Sequence, residues 1–261
     1  MDILISALIF AALGAVIGIL LAVASKAFAV PVNEKAEQIA ELLPGANCGG
    51  CGYSGCAALA EAIAEGKAKP SACAVGGDET AIEIAKVMGV DAESTVRFRA
   101  HVACGGTCDK VKRKFEYEGI SDCRAAIQLG GGSKTCPNGC LGLGSCVEKC
   151  PFGAIEVING VAFVHKNKCR ACGVCVASCP KKIITLVPYD SNFSVACSSV
   201  EKGATKRTYC ENSCIGCKIC EKSCPNGAIT VNNFLASIDY SKCTGCGICA
   251  KKCPRKCIHS I

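Results

Sequence analysis

The pattern of hydrophobic and polar positions divides the chain into one long apolar run followed by several shorter segments. Residues 3–25 carry no charge, whereas apolar residues recur at helical intervals over residues 33–43. Further along, residues 155–157 and 161–164 alternate with period two and are joined by Asn159-Gly160, which predicts a β-hairpin. The pattern therefore predicts an α+β chain built from small units behind an apolar N-terminal helix.

The apolar run has the length of a membrane-spanning helix. Its 23 residues would rise roughly 34 Å as a helix, which exceeds a ~30 Å hydrocarbon core. A cleaved signal peptide ending near residues 27–29 is disfavoured, because the run is too long and Asp2 replaces the usual basic start. Since Lys26 follows directly, the positive-inside rule predicts a single-pass transmembrane anchor over residues 1–28 in the plasma membrane, with the C-terminal domains on the cytoplasmic side.

Cysteine supplies 26 of the 261 residues, and its spacing is regular. The pattern C-x2-C-x2-C-x3-C-P occurs at residues 169–180, 214–225 and 243–254, with a degenerate copy at 140–151. It is typical of bacterial ferredoxins, in which three thiolates bind one iron–sulfur cluster and the fourth binds its neighbour. Disulfide frameworks and zinc sites explain it less well, because neither needs a third cysteine in step with a following proline. The spacing predicts several [4Fe–4S] clusters that transfer electrons.

The ferredoxin runs belong to a duplicated segment. The offset that superimposes Cys150 on Cys224 also superimposes Cys169 on Cys243, and the stretches between them match as well. Self-similarity at a fixed offset indicates duplication. We therefore predict two tandem two-cluster ferredoxin modules, at residues 136–190 and 210–261, joined by a linker at 191–209.

Crossed ligation predicts which cysteines share a cluster in these modules. The second module gives two complete sets: Cys214, Cys217, Cys220 with Cys253, and Cys243, Cys246, Cys249 with Cys224. The first module gives one complete set: Cys169, Cys172, Cys175 with Cys150. Its other set has Cys140, Cys146 and Cys179, but Leu143 stands where the repeat has a cysteine. We predict Cys136 as the substitute ligand; a three-iron cluster or a lost cluster is the alternative.

A separate cysteine cluster lies within residues 31–95, where the spacing differs from that of the ferredoxin runs. Its four cysteines are Cys48, Cys51, Cys56 and Cys73. Neighbouring glycines allow the backbone to fold tightly around a cofactor and to direct N–H groups at its sulfurs. We predict a small, mostly helical four-Cys iron–sulfur domain.

Residues 96–135 form a connecting segment that contains further cysteines and is rich in basic residues. A sixth cluster remains open, with the candidate ligands Cys104, Cys108, Cys123 and Cys197, and with Cys210 or Cys136 as alternatives for the fourth. Five clusters are predicted without it. Cys257 occupies a position that holds alanine in the other copies, so we predict a buried apolar side chain there and no ligand.

Charge and the remaining motifs add little chemistry beyond electron transfer. The formal net charge is +7, yet no nucleic-acid-binding motif is present. The basic run Lys110, Lys112, Arg113 and Lys114 either steers an acidic redox partner or forms a solvated face. His101, His165 and His259 show no ligand spacing. Gly203-Ala204-Thr205 resembles a flavin-attachment loop only faintly, and no nucleotide motif follows a strand, so neither flavin nor nucleotide is predicted.

Taken together, the apolar start, the four-Cys motif and the ferredoxin runs resemble the B subunits of Rnf complexes over the whole chain. The resemblance implies an electron-transfer subunit of a membrane-bound, ion-translocating ferredoxin:NAD⁺ oxidoreductase that moves Na⁺ or H⁺. It also implies reduced ferredoxin as donor, and membrane and NAD-binding subunits as partners. No acid–base or nucleophilic residue is expected. The alternatives are a relay subunit of a membrane hydrogenase or formate dehydrogenase, and a zinc-binding scaffold.

Overall fold

The structure of the chain is a computed structural model that describes residues 2–27, 33–91 and 96–261. The α-helices in these ranges are α1 (Asp2–Ala27), α2 (Glu34–Leu42), α3 (Cys56–Ala64), α4 (Gly77–Met88), α5 (Cys123–Gln128), α6 (Ser145–Glu148), α7 (Val174–Ser178), α8 (Gly203–Tyr209), α9 (Ile219–Ser223) and α10 (Ile248–Lys252), and a short 3-10 helix at Pro70–Ala72 leads into Cys73. The strands are β1 (Phe98–Val102), β2 (Ile155–Ile158), β3 (Val161–Val164), β4 (Ile184–Pro188), β5 (Phe193–Val195), β6 (Ile229–Asn232), β7 (Leu235–Ile238) and β8 (Ile258–Ser260).

The predicted transmembrane helix is the part of the predicted fold class that the structure contradicts. Residues Asp2–Ala27 do form a helix, α1. However, within the ranges that the structure describes, no helix is long and apolar enough to cross a membrane. The prediction of a transmembrane anchor at residues 1–28 was therefore wrong.

Helices α2, α3 and α4 form a small bundle that carries the four-Cys motif. Ile39, Ile63 and Ile84 are fully buried between them. The Asn33 side chain caps α2 by accepting a hydrogen bond from the backbone N–H of Lys35 (3.1 Å). Gly89 ends α4 in the left-handed conformation that glycine adopts without steric cost. The predicted mostly helical character of this region is confirmed.

The duplication is visible in the strand register. Strands β2 and β3 pair with Ile155 opposite Val164, and β6 and β7 pair with Ile229 opposite Ile238. The offset between these two pairs is the same one that superimposes Cys150 on Cys224. Both are tight antiparallel hairpins, as the alternating pattern predicts.

A second antiparallel pair completes each copy of the repeat. Strand β1 pairs with β4, and β5 pairs with β8. In each case the first strand comes from a segment that the sequence did not assign to a ferredoxin module, namely residues 96–135 and 191–209. Cys104 and Cys197 each lie two positions beyond such a strand, so the two pairs bring equivalent cysteines to equivalent places.

Candidate metal centres

The ferredoxin runs fold into loops that each lead into a short helix. Helices α6, α7 and α10 follow glycines at φ 82°, 77° and 72°, and α9 follows Lys218 at φ 59°. Left-handed backbone at this point turns the chain sharply before the helix. The third cysteine of each run is then the second residue of the helix. In α7, α9 and α10 the fourth cysteine ends it. The first three cysteine positions of a run therefore surround one site, and the fourth cysteine lies beside the neighbouring site.

Site 1 is the four-Cys site beneath the helical bundle. Its sulfur-bearing residues are Cys48, Cys51, Cys56 and Cys73. The Asn47 side chain fixes the loop by accepting a hydrogen bond from the backbone N–H of Cys56 (2.8 Å). The Gly76 N–H donates to the Cys73 sulfur (3.4 Å). Burial raises the pKa of Cys73, and the neighbouring thiols Cys56 and Cys51 raise it further, so these three lie together.

Site 2 belongs to the first ferredoxin module. Its members are Cys150, Cys169, Cys172 and Cys175. Burial raises the pKa of Cys175 to about 12, and the charges of the other three also raise it. Backbone N–H groups donate to two of the sulfurs: Ala100 to Cys169 (3.3 Å) and Ala154 to Cys150 (3.4 Å). The structure brings together the set that crossed ligation predicts.

Site 3 is the incomplete site of the first module, and the structure brings a different fourth cysteine to it. One cavity is lined by Cys123, Cys140, Cys146 and Cys179. Cys123 begins α5 beside α6, because its N–H donates to the Ser145 Oγ (2.6 Å) and Ser145 in turn donates to Asp122 (3.2 Å). Burial raises the pKa of Cys146 to about 12, with Cys140, Cys123 and Cys179 adding to the shift. Cys136, the predicted substitute, does not line this cavity.

Site 4 lies between the two copies of the repeat. Its cavity is lined by Cys104, Cys136, Cys197 and Cys210. Burial raises the pKa of Cys136 to about 11, and the other three thiols raise it further. Of the residues predicted for an extra cluster, Cys104 and Cys197 are present, whereas Cys123 lies at site 3. Cys108 lies outside this cavity, where its sulfur accepts a hydrogen bond from Arg113 (3.0 Å).

Sites 5 and 6 belong to the second module. Site 5 is lined by Cys214, Cys217, Cys220 and Cys253, and Cys257 lines the same cavity. Site 6 is lined by Cys224, Cys243, Cys246 and Cys249. Both sets agree with crossed ligation.

Cys257 is 1% exposed, which confirms its predicted burial. Its sulfur lies 3.6 Å from that of Cys253, and a hydrogen bond from it lowers the pKa of Cys253 to about 5.

The chemistry of the donor sets fits iron–sulfur clusters. Sites 2 to 6 each offer at least four cysteine sulfurs, the complement that [4Fe–4S] clusters require, and at site 1 Cys48 lies three positions before Cys51 in the sequence; backbone N–H groups reach several of these sulfurs. Among the described residues, no group of three or more His, Cys, Asp or Glu side chains is arranged to hold a single metal ion. When bound, such clusters would supply one-electron transfer.

The six sites follow one another without a gap. Sites 1 and 2 meet where a side chain at Gly50 would overlap the Cys172 carbonyl, and the Cys48 charge raises the pKa of Cys172 after burial. The charge of Cys146 in site 3 likewise acts on Cys175 in site 2. Cys146 and Cys175 also belong to one buried cluster, so each neighbouring pair of sites in the first half of the molecule is packed together.

The second half continues this sequence through site 4. The Cys140 N–H of site 3 donates to the Cys104 sulfur of site 4 (3.3 Å). The backbone N–H of Cys214 of site 5 donates to Cys197 of site 4 in the same way. Sites 5 and 6 are then linked by two helices, since α9 contains Cys220 and is capped by Cys224, and α10 contains Cys249 and is capped by Cys253.

Other predicted features are placed as follows. Lys110, Lys112, Arg113 and Lys114 are all exposed, which both interpretations of the basic run allow. His101 is buried and its pKa falls to about 4 because of burial, with repulsion from His259 and Arg99 adding to the shift. Two features escaped the sequence analysis altogether, the buried lysines Lys134 and Lys206.

Family models match both cysteine-rich parts of the chain. Residues 43–75 match the Fe-S cluster family. Residues 168–228 and 213–257 match the 4Fe-4S dicluster domain.

Known proteins are similar over most of the chain. It is 46% identical over 230 residues to the B subunit of the Na(+)-translocating ferredoxin:NAD(+) oxidoreductase complex of Acetobacterium woodii, covering 88% of this chain and 69% of that protein. It is 46% identical to the B subunit of the proton-translocating ferredoxin:NAD(+) oxidoreductase complex of Clostridium ljungdahlii, covering 88% and 81%. It is 43% identical to the B subunit of the ion-translocating oxidoreductase complex of Methanosarcina acetivorans, covering 90% and 89%.

Proposed function

Since this chain belongs to the family of B subunits of ion-translocating ferredoxin:NAD⁺ oxidoreductases, the Rnf complexes, we propose that it accepts electrons from reduced ferredoxin and relays them to partner subunits. It is an iron–sulfur electron-transfer subunit of such an oxidoreductase. Membership sets aside a relay subunit of a hydrogenase or formate dehydrogenase and a zinc scaffold. Ion translocation requires a membrane, so the complex is membrane-associated. We place the clusters of this chain on the cytoplasmic side, where reducing conditions preserve them.

The relay consists of six [4Fe–4S] clusters, one at each of sites 1 to 6. At least four cysteines converge at each of sites 2 to 6, and three converge at site 1, where Cys48 lies in the same loop as Cys51; this supports the count. Relative to the sequence prediction, Cys123 serves site 3 in place of Cys136, and Cys136 and Cys210 complete site 4. The protein's own contribution is to hold the clusters close together and to tune them through N–H···S hydrogen bonds and burial.

The unbroken contact between neighbouring sites is the observation that carries the proposal. Electrons moving by this route would pass through the sites in the order 6, 5, 4, 3, 2, 1. Cys217 and Cys246 support entry at sites 5 and 6, because these two cysteines are exposed whereas the other cysteines of the chain are buried or half-buried. The helical domain around site 1 would then be the exit towards partner subunits.

Entry at the second module also suits an acidic donor. Its exposed lysines include Lys218, Lys222, Lys242, Lys251 and Lys252. Of the described ion pairs in this module, Lys218 pairs with Glu221 and Lys242 with Asp239, which leaves Lys222 on α9 and both Lys251 and Lys252 on α10 without a salt bridge. Uncompensated positive charge steers a negatively charged partner and raises its association rate.

The domain boundaries follow from the strand pairs. We propose that the first module begins with β1 near residue 97 and the second with β5 near residue 192, because each contributes a strand to its module's second sheet. Site 4 then lies at the junction of the two modules, with two cysteines from each.

Anaerobic purification of the full chain tests this proposal. We expect about 24 irons per chain, four for each of six clusters, and bleaching of the visible absorbance by reduced ferredoxin. A chain that holds about 20 irons would remove one cluster from the relay. A colourless protein, or one that reduced ferredoxin leaves oxidised, would contradict the proposed function.

A further inference from the structure

Two lysine side chains are withdrawn from solvent at the centre of the molecule. Lys206 is fully buried and Lys134 is 3% exposed. Lysine is almost never buried unless its charge is compensated. Among the residues that the structure describes, neither ammonium group forms a salt bridge with a carboxylate. Their compensation must come from something other than an acidic side chain.

Lys134 lies at the boundary of sites 3 and 4. Its side chain lines the cavity of site 4. Its Nζ donates to the carbonyl oxygens of Gly106 (2.8 Å) and Gly160 (2.7 Å). The Gly160 carbonyl in turn lies against Gly142, in the loop of site 3, where an added side chain would overlap it. Lys134 is thus held between two predicted cluster positions.

Lys206 lies at the boundary of sites 4 and 5. Its Nζ donates to the carbonyl oxygens of Ser199 (2.9 Å) and Phe234 (2.7 Å). Ser199 lines the cavity of site 4. Phe234 lies against Gly216, which belongs to the loop of site 5 between Cys214 and Cys217. The second lysine therefore occupies the other side of site 4.

The two lysines bind equivalent carbonyl groups of the two modules. Gly160 and Phe234, which the offset of the repeat superimposes, occupy the same position in the turns of the hairpins β2–β3 and β6–β7. Gly106 and Ser199 each lie two positions after an equivalent cysteine, Cys104 or Cys197. Each module therefore fixes one ammonium group with the same two carbonyls, although the lysines themselves come from different local sequences.

We propose that Lys134 and Lys206 are fixed cations that raise the reduction potential of the cluster at site 4 and of its neighbours at sites 3 and 5. The inference rests on the proposed function. A positive charge in a low-dielectric interior stabilises the electron that a cluster gains, and charge and hydrogen bonding are the levers by which a protein sets cluster potentials. The negative charge of thiolate-ligated clusters also supplies the compensation that buried lysines need. Site 4 becomes the electron-accepting centre of the relay.

The test is a redox titration of the full chain, followed by electron paramagnetic resonance, for Lys206→Gln and Lys134→Gln. Glutamine keeps N–H donors for the carbonyls and removes the charge. We expect full iron content and at least a tenfold weaker reduction of a subset of clusters, which is about 59 mV for a one-electron couple. Lys206→Arg should restore most of the potential. Lys202→Gln, an exposed position at the start of the same helix, is the matched control and should leave every potential unchanged.

Unchanged potentials in both glutamine variants, with full iron content, would overturn the inference. Loss of a cluster in both would also overturn it, because the lysines would then act only as structural clamps. These results differ from failure of the proposed function, in which the unsubstituted chain would hold no clusters. A chain that carries its clusters but whose potentials respond to neither glutamine substitution therefore contradicts this inference alone.

Discussion

At the scale of single residues, Cys123 is the side chain that most changes the assignment of ligands. The hydrogen bond from its backbone N–H to Ser145, and the bond from Ser145 to Asp122, hold it at the cavity of site 3. No ferredoxin spacing contains a ligand so far before the run that starts at Cys140. Only tertiary contacts bring Cys123 to the cavity of site 3.

We expect Cys123→Ser to lose about four irons per chain, because a cluster at site 3 would keep only three of its thiolates. Cys136→Ser should also lose about four irons, but from site 4, so the double variant should lose about eight. The measurement is iron content after anaerobic purification. Cys108→Ser is the control, since Cys108 lines neither cavity, and it should keep full iron. Full iron in Cys123→Ser would refute the assignment.

Cys257 should behave differently from the cysteines around it. Its thiol hydrogen-bonds to Cys253, and the repeat has alanine at the same position. We expect Cys257→Ala to keep full iron content but to lower the potential of the cluster at site 5, because a hydrogen bond to a ligand sulfur stabilises the reduced cluster. A redox titration measures this. Cys253→Ser, the comparison variant, should lose about four irons; the same loss in Cys257→Ala would show that Cys257 is a ligand.

At the scale of secondary-structure elements, the helical domain around site 1 depends on packing between α2, α3 and α4. Ile84 is fully buried in this core, whereas Ile82 on the same helix is 44% exposed. We expect Ile84→Ala to lower the free energy of unfolding of this domain by about 2–5 kcal/mol, since it removes a buried side chain and leaves a cavity. Urea denaturation followed by circular dichroism measures the change. Ile82→Ala is the matched control; an equal effect of both would contradict the core assignment.

Elements also show how far the sequence could lead. The hairpins β2–β3 and β6–β7 were predictable because alternation and the turn residues are local signals. Strands β1 and β5 were not predictable, because each pairs with a strand that is distant in sequence. Both strands also lie in segments outside the repeated ferredoxin runs. One signal for site 4 was present: the offset of the repeat also superimposes Cys136 on Cys210. The buried lysines had no signal, because nothing local distinguishes them from surface lysines.

At the scale of the whole molecule, the charge distribution should decide where ferredoxin docks. We expect the double variant Lys251→Gln, Lys252→Gln to slow reduction by ferredoxin severalfold at low ionic strength, with the difference vanishing at high salt. Stopped-flow absorbance measures the rate.

Neutralising Lys110, Lys112, Arg113 and Lys114 tests the other basic surface. If that variant slows reduction while the α10 variant does not, the entry point is the connecting segment and the proposed direction of the relay is wrong.

The central claim is that electrons cross the molecule through site 4. It is tested most directly by rapid-freeze electron paramagnetic resonance of the full chain after mixing with reduced ferredoxin, comparing the unsubstituted protein with the double variant Cys104→Ser, Cys197→Ser. We predict that the variant, lacking the cluster at site 4, still reduces sites 5 and 6 at the normal rate but reduces site 1 far more slowly. Equal rates of reduction of site 1 in the two proteins would contradict the relay.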